Sequence, residues 1–103
     1  MLKISNLAKN DIANIWVYIA QQNVDSANKI IRSLMEIFIL LEQNPKLGTS
    51  KSKILDNLYS FPFKNYLVFY SVHLGNIKIH RVIHSSRNQK GILENLRKFI
   101  DFW

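Results

Sequence analysis

The chain has no cysteine, two prolines, three glycines and three histidines among its 103 residues. Without thiols, disulfides, thiolate nucleophiles and cysteine-ligated metals are all excluded, and a reducing compartment is compatible with the composition. None of His73, His80 and His84 lies in a helical segment where paired ligands could share a face, and the acidic residues are scattered. No metal site and no cofactor are therefore expected. Gly48, Gly75 and Gly91 stand alone, which excludes a glycine-rich phosphate loop and leaves them as turn or cap positions. Ser85-Ser86 beside His84 lacks nucleophile-elbow glycines, and adjacent strand residues point to opposite faces, so a serine hydrolase is set aside. The apolar run at residues 37–41 is far short of the ~20 residues a bilayer helix needs. Met1-Leu2-Lys3-Ile4 passes directly into polar sequence, so we expect no cleaved leader, no membrane association and a cytoplasmic protein. The length suits one domain, residues 1–103, with one modest core.

Acidic residues are also scarce: 7 against 14 lysines and arginines, for a formal charge of +7. A field of one sign steers acidic partners to the surface. The competing explanation is compositional, because lysine outnumbers arginine ten to four and Ile, Asn and Lys are all abundant, as in an AT-rich coding sequence. Local density favours a role for the charge. Lys46, Lys51 and Lys53 share one loop, and Arg81, Arg87, Lys90, Arg97 and Lys98 crowd the last quarter of the chain.

Residues 1–5 alternate as a short strand. Ser5 or Asn6 then caps a helix whose stripe is Leu7, Ile12, Ile15, Trp16 and Ile19. A break at Gln22-Asn23-Val24 gives Asn23 or Asp25 as cap of a second helix, with Ala27, Ile30, Ile31, Leu34, Phe38 and Leu41 on one face. So short a link makes the pair an antiparallel hairpin. Asn44-Pro45 ends it, because a residue before proline leaves the α region. Residues 37–41 are apolar all round and Met35 lies off the stripe, so this helix is covered on two sides, either by the chain itself or by another chain.

After a polar, basic loop through residue 57 comes an antiparallel meander. Its first strands, from Leu58 to Tyr70, are aromatic and β-branched and break at Lys64-Asn65, and the turn His73-Leu74-Gly75-Asn76 leads into the last one, ending near His84. Both parities carry apolar groups: Tyr66, Val68, Tyr70 and Val72 on one face, Leu67 and Phe69 on the other. Such a sheet needs cover on both faces. The hairpin supplies one cover, and the terminal helix or a partner supplies the other. Ile92, Leu93, Leu96, Phe99 and Ile100 recur at helical spacing after Asn88, so the tail is read as a helix ending in an aromatic terminus at Phe102 and Trp103. The fold expected is α+β, an N-terminal antiparallel helical hairpin on a small, mostly antiparallel sheet with a C-terminal helix.

His84 and Arg87 lie three apart at a strand end, with Arg81 further back and Tyr59, Tyr66 and Tyr70 on neighbouring strands. An imidazole or phenol exchanging protons and guanidinium groups stabilising charge on phosphorus would suit phosphodiester chemistry. A histidine that bonds a backbone carbonyl is the structural alternative at His84. The catalytic candidates for a ribonuclease are Arg81, His84, Arg87 and Tyr70. For a binder, the expected target contacts are Arg81, Arg87, Lys90, Arg97, Phe102 and Trp103, and the surplus apolar groups Met35, Ile39, Leu67 and Phe69 are the expected partner-covered surface.

The segments Ala8-Lys9-Asn10-Asp11-Ile12-Ala13-Asn14-Ile15-Trp16-Val17-Tyr18-Ile19, Phe38 to Leu41 followed by Asn44-Pro45-Lys46-Leu47-Gly48, Ser60-Phe61-Pro62-Phe63-Lys64-Asn65-Tyr66-Leu67-Val68-Phe69-Tyr70 and Arg81-Val82-Ile83-His84-Ser85-Ser86-Arg87, in this order and nearly end to end, resemble the ParE branch of the RelE/ParE superfamily of toxins from type II toxin-antitoxin systems. The resemblance implies a toxin of the plasmid-stabilisation kind, neutralised by an acidic antitoxin whose extended and helical tail wraps it. ParE-like members inhibit DNA gyrase; RelE-like members cut mRNA on the ribosome. Two departures bear on that choice. Many ParE-like sequences carry arginine where this chain has Tyr59, and often another where it has Ser71. The lysine and arginine set of the ribonucleases is not reproduced either. Gyrase inhibition by binding is the expectation, with a ribosome-dependent endoribonuclease and a non-toxic binding module as alternatives.

Overall fold

The computed structural model describes residues 1–99, and side chains as far as residue 95. β1 (Leu2–Ile4) leads into α1 (Asn6–Ala20) and α2 (Val24–Gln43), followed by β2 (Thr49–Ser50), β3 (Leu58–Phe63), β4 (Tyr66–His73), β5 (Asn76–His84) and α3 (Gln89–Phe99). The architecture is the expected α+β one. The sheet order is β1-β5-β4-β3-β2, antiparallel throughout except where β1 runs parallel to β5.

The caps explain why the helices begin where they do. Ser5 Oγ accepts the Ala8 N–H at 3.0 Å and donates to the His80 carbonyl at 2.8 Å, so one hydroxyl caps α1 and pins it to β5. Asn23 Oδ1 accepts the Ser26 N–H at 3.0 Å, and Asp25 in the first turn of α2 complements the helix dipole. Between the helices, Trp16 Nε1 donates to Asn28 Oδ1 at 2.9 Å.

Two cores flank the sheet. On the front, Ala8, Ile15, Leu34, Phe38 and Leu41 of the hairpin meet Val68, Tyr70, Ile77, Ile79 and Val82. On the back, Leu58, Phe69 and Ile83 close against Leu93 of α3, with Ile54, Leu55, Leu67 and Ile92 around them. Phe38 and Phe69 are fully buried, so truncating either to alanine would cost about 3–5 kcal/mol. The back face is thus covered by the chain's own α3 and by Ile54 and Leu55 from a loop read as simply polar. The cover of α2 is one-sided, since Ile39 is 51% exposed and Leu40 37%.

Turn chemistry sets the registers. Lys64-Asn65 and Leu74-Gly75 are two-residue hairpin loops, with positive φ at Lys64 (52°), Leu74 (50°) and Gly75 (79°). Gly48 is needed for space: an added Cβ would lie 2.6 Å from the Ser60 carbonyl oxygen and 2.7 Å from the Tyr70 hydroxyl. From Leu74-Gly75, register alone would set Tyr66 against Ile83. Instead Tyr70 pairs with Ile79 and Phe69 with Arg81, leaving His80 as an extra residue, and Tyr66 arrives opposite His84.

Among the described residues no helix is long and apolar enough to cross a membrane, and no group of three or more His, Cys, Asp or Glu could hold a metal ion.

Candidate functional site at the end of the sheet

β5 stops at His84 and the chain turns back at once. The Ser85 N–H donates to the Asn65 carbonyl at 2.8 Å and the Arg87 N–H to the His84 carbonyl at 3.0 Å. These bonds tie the exit of β5 to the Lys64-Asn65 turn. Tyr66 packs edge-to-face on the His84 ring, with centroids 5.4 Å apart and planes at 82°. His84 Nδ1 lies 2.7 Å from Ser86 Oγ and 3.2 Å from the Ser86 amide nitrogen, whose N–H donates to it. From α1, Tyr18, 68% exposed, lies near the Tyr66 phenol. Burial, and then the nearby Tyr18 phenol, push the Tyr66 hydroxyl above its ordinary pKa. Exposed Lys64 sits in the turn, its ammonium 5.9 Å from the centre of the Phe63 ring.

Arg81 is not part of this exposed group, in contrast to the sequence reading. Its Nε and Nη2 donate to the two carboxylate oxygens of Asp11 at 2.8 and 2.9 Å, and Asp11 Oδ2 also accepts the Val82 N–H at 2.9 Å. The reason lies in the brevity of β1. After Ile4 the chain leaves the sheet to start α1, so the edge of β5 loses its neighbour and Asp11 replaces it. Both side chains are mostly buried, at 17% and 12% exposure, and the guanidinium's fork is committed to its partner.

Tyr70 is corrected likewise. It is fully buried in mid-strand, stacks on Tyr59 with centroids 5.6 Å apart, and its hydroxyl accepts the Gly48 N–H at 2.9 Å. Burial raises its pKa, the Gly48 bond lowers it less, and the Tyr59 phenol raises it slightly. This phenol anchors the loop after α2. Phe69 is buried under α3 and half-buried Leu67 flanks the same cluster, so their face is already occupied. Met35 is half-buried and Ile39 exposed, which leaves that edge of α2 accessible.

Arg87 and Lys90 are exposed, and Arg87 lines a shallow groove of about 490 Å³ with Asn88, Gly91, Ile92, Glu94 and Asn95. The side chain of Arg97, and Phe102 and Trp103 altogether, lie outside the described residues. Sequence reading missed Asp11, Tyr18, Lys64 and Ser86. A carboxylate in the first turns of a helix entered directly from an edge strand is the one signal that could have found Asp11.

The two departures from the family pattern are structural. Tyr59 supplies the stacking partner of Tyr70. Ser71 Oγ lies 2.7 Å from His80 Nε2 in a buried pair, and burial, assisted by the Lys78 charge, lowers the His80 pKa to about 4. His80 is therefore neutral at physiological pH and occupies the bulge as a buried polar residue.

Residues 2–89 match the family described as the ParE toxin of type II toxin-antitoxin system, parDE. No curated protein matches the chain. Among solved structures it resembles a chain of the chromosomal ParDE toxin-antitoxin system from P. aeruginosa (TM-score 0.67, 19% identity, covering 81% of this chain and 92% of that one). It also resembles a chain of the YoeB-YefM complex from Staphylococcus aureus (TM-score 0.54, 21% identity, covering 82% and 94%). At these identities both likenesses are of fold.

Proposed function

We propose, from the premise that this chain belongs to the ParE toxin family of type II toxin-antitoxin systems, that it arrests growth by binding DNA gyrase rather than by cutting RNA. One observation carries this choice: the groups a ribonuclease would need are not gathered at one place. Of the four candidates, Arg81 is held by Asp11 and Tyr70 is buried under the loop after α2, which leaves His84 and Arg87 exposed at the sheet end, beside Lys64. Arg87 stays protonated and cannot carry a proton, and the Tyr66 phenol beside His84 is weakened as an acid by burial, so the exposed groups suit recognition better than general acid–base catalysis, which needs two positioned proton carriers. The family resemblance supports gyrase as the target.

The neutralising partner is proposed to be an acidic antitoxin. The +7 charge favours fast, salt-sensitive capture of such a chain, and the exposed edge of α2 at Ile39 and Leu40, with Met35 beside it, offers apolar anchorage. Leu67 and Phe69 drop out of that interface because α3 covers them. The lack of cysteine suits action in the cytoplasm.

Expression of the toxin alone, followed by timed measurement of plasmid supercoiling and of amino-acid incorporation, tests the proposal. Supercoiling should fail first, and co-expression of a small acidic partner encoded beside it should restore growth. Early arrest of translation with mapped mRNA cuts would replace this reading with the ribonuclease one.

A further inference from the structure

We propose that Ser86 fixes His84 as a hydrogen-bond donor with its proton on Nε2, and that this donor, flanked by Lys64 and Arg87, receives a carboxylate of a protein partner. The inference rests on the binding reading above and names the chemistry its site would recognise. The Ser86 backbone N–H, 3.2 Å from His84 Nδ1, can only donate, so Nδ1 presents its lone pair. The Ser86 hydroxyl at 2.7 Å is then a second donor to the same atom. A neutral ring with Nδ1 as acceptor carries its proton on Nε2. Tyr66, edge-to-face at 5.4 Å, restrains the ring plane.

The surroundings select the ligand. The Asn65 carbonyl holds the Ser85 N–H at 2.8 Å, which keeps the Lys64 turn beside His84. The two segments that build this end, Phe63-Lys64-Asn65-Tyr66 and His84-Ser85-Ser86-Arg87, contain two cations and no carboxylate. A nucleic-acid backbone repeats its charge at every nucleotide and is met by a row of cations. Lys64 and Arg87, on the two segments that meet at His84, with Glu94 already in the Arg87 groove, match one carboxylate, whose two oxygens can be shared between Nε2–H and a cation.

Nitrogen-15 spectra of the His84 ring, recorded on the full chain above neutral pH, read the tautomer directly. Wild type should show the proton on Nε2. Ser86→Ala should lower the ratio of the two tautomers about fivefold, the loss of one hydrogen bond of about 1 kcal/mol, and Ser86→Thr should restore it. A wild-type proton on Nδ1, or a Ser86→Ala spectrum identical to wild type, overturns the positioning role. The ligand is tested by titrating hexaglutamate peptide and hexauridylate while following the same resonances. The peptide should shift them, and Lys64→Ala should weaken that effect several-fold. Movement with the uridylate alone, or with neither probe, overturns the carboxylate assignment. Neither readout is growth arrest, so failure here is distinct from failure of the gyrase reading, which would appear in supercoiling.

Discussion

Asp11→Ala removes one carboxylate that accepts three hydrogen bonds, two from the Arg81 guanidinium and one from the Val82 N–H. Deleting it leaves a guanidinium only 17% exposed without its partner and strips the acceptor from an edge amide of β5. Breaking a buried pair in this way costs about 3–5 kcal/mol, and partial access of water to the freed groups places this site at the low end, about 3 kcal/mol. For a domain of this size that is a fall in melting temperature of more than ~10 °C. Chemical denaturation of wild type, Asp11→Ala, Arg81→Met and the double variant gives the coupling directly, expected at about 2 kcal/mol. Stabilities within about 0.5 kcal/mol of wild type, combined with lost toxicity in Arg81→Met, would refute the clamp and return Arg81 to the target surface.

His80 should give the fold an acid-sensitive limb. Its folded pKa of about 4 lies below the ordinary 6.5, so the unfolded chain binds the extra proton; the stability is present above pH ~6.5 and is lost as pH falls toward ~4, by about 3 kcal/mol in total. Denaturation midpoints against pH should show this limb in wild type and a flatter one in His80→Gln. Leu74 holds a left-handed conformation at φ 50° while 87% exposed, so Leu74→Asn should raise stability by about 1 kcal/mol in a thermal melt, and an unchanged or lower melting temperature would contradict the turn assignment. Arg87 is exposed, so Arg87→Ala should leave stability within about 0.5 kcal/mol and reduce growth inhibition per folded molecule. A large loss of stability would make it a structural residue.

The helices were readable because their caps and stripes are local: Ser5 and Asn23 cap as their types suggest, and Ala27, Leu34, Phe38 and Leu41 fall on the buried face of α2. The two apolar parities of β4 were also legible, and Val68 and Tyr70 do face one core while Phe69 faces the other. Of the two covers read for the second face, terminal helix or partner, α3 is the one found, while the added cover from Ile54 and Leu55 left no trace because they stand as an apolar dipeptide without periodicity in a polar loop. The candidate site depended on the bulge at His80. A single extra residue cannot be seen in a strand pattern, yet it moves Tyr66 from Ile83 to His84 and aligns Arg81 with Phe69. The long-range pairing of Asp11 with Arg81, 70 residues apart, leaves no periodic trace either.

Inhibition of gyrase by binding can be measured with purified components: toxin freed from its antitoxin, gyrase, ATP and relaxed plasmid, with loss of supercoiling read on a gel. Supercoiling should fall as toxin rises, adding back the acidic antitoxin should restore it, and His84→Gln, which keeps a side-chain donor but cannot act as a base, should weaken inhibition without abolishing it. Full supercoiling at toxin concentrations that produce mapped mRNA cuts in a translating extract, with those cuts lost in His84→Gln, would contradict gyrase inhibition.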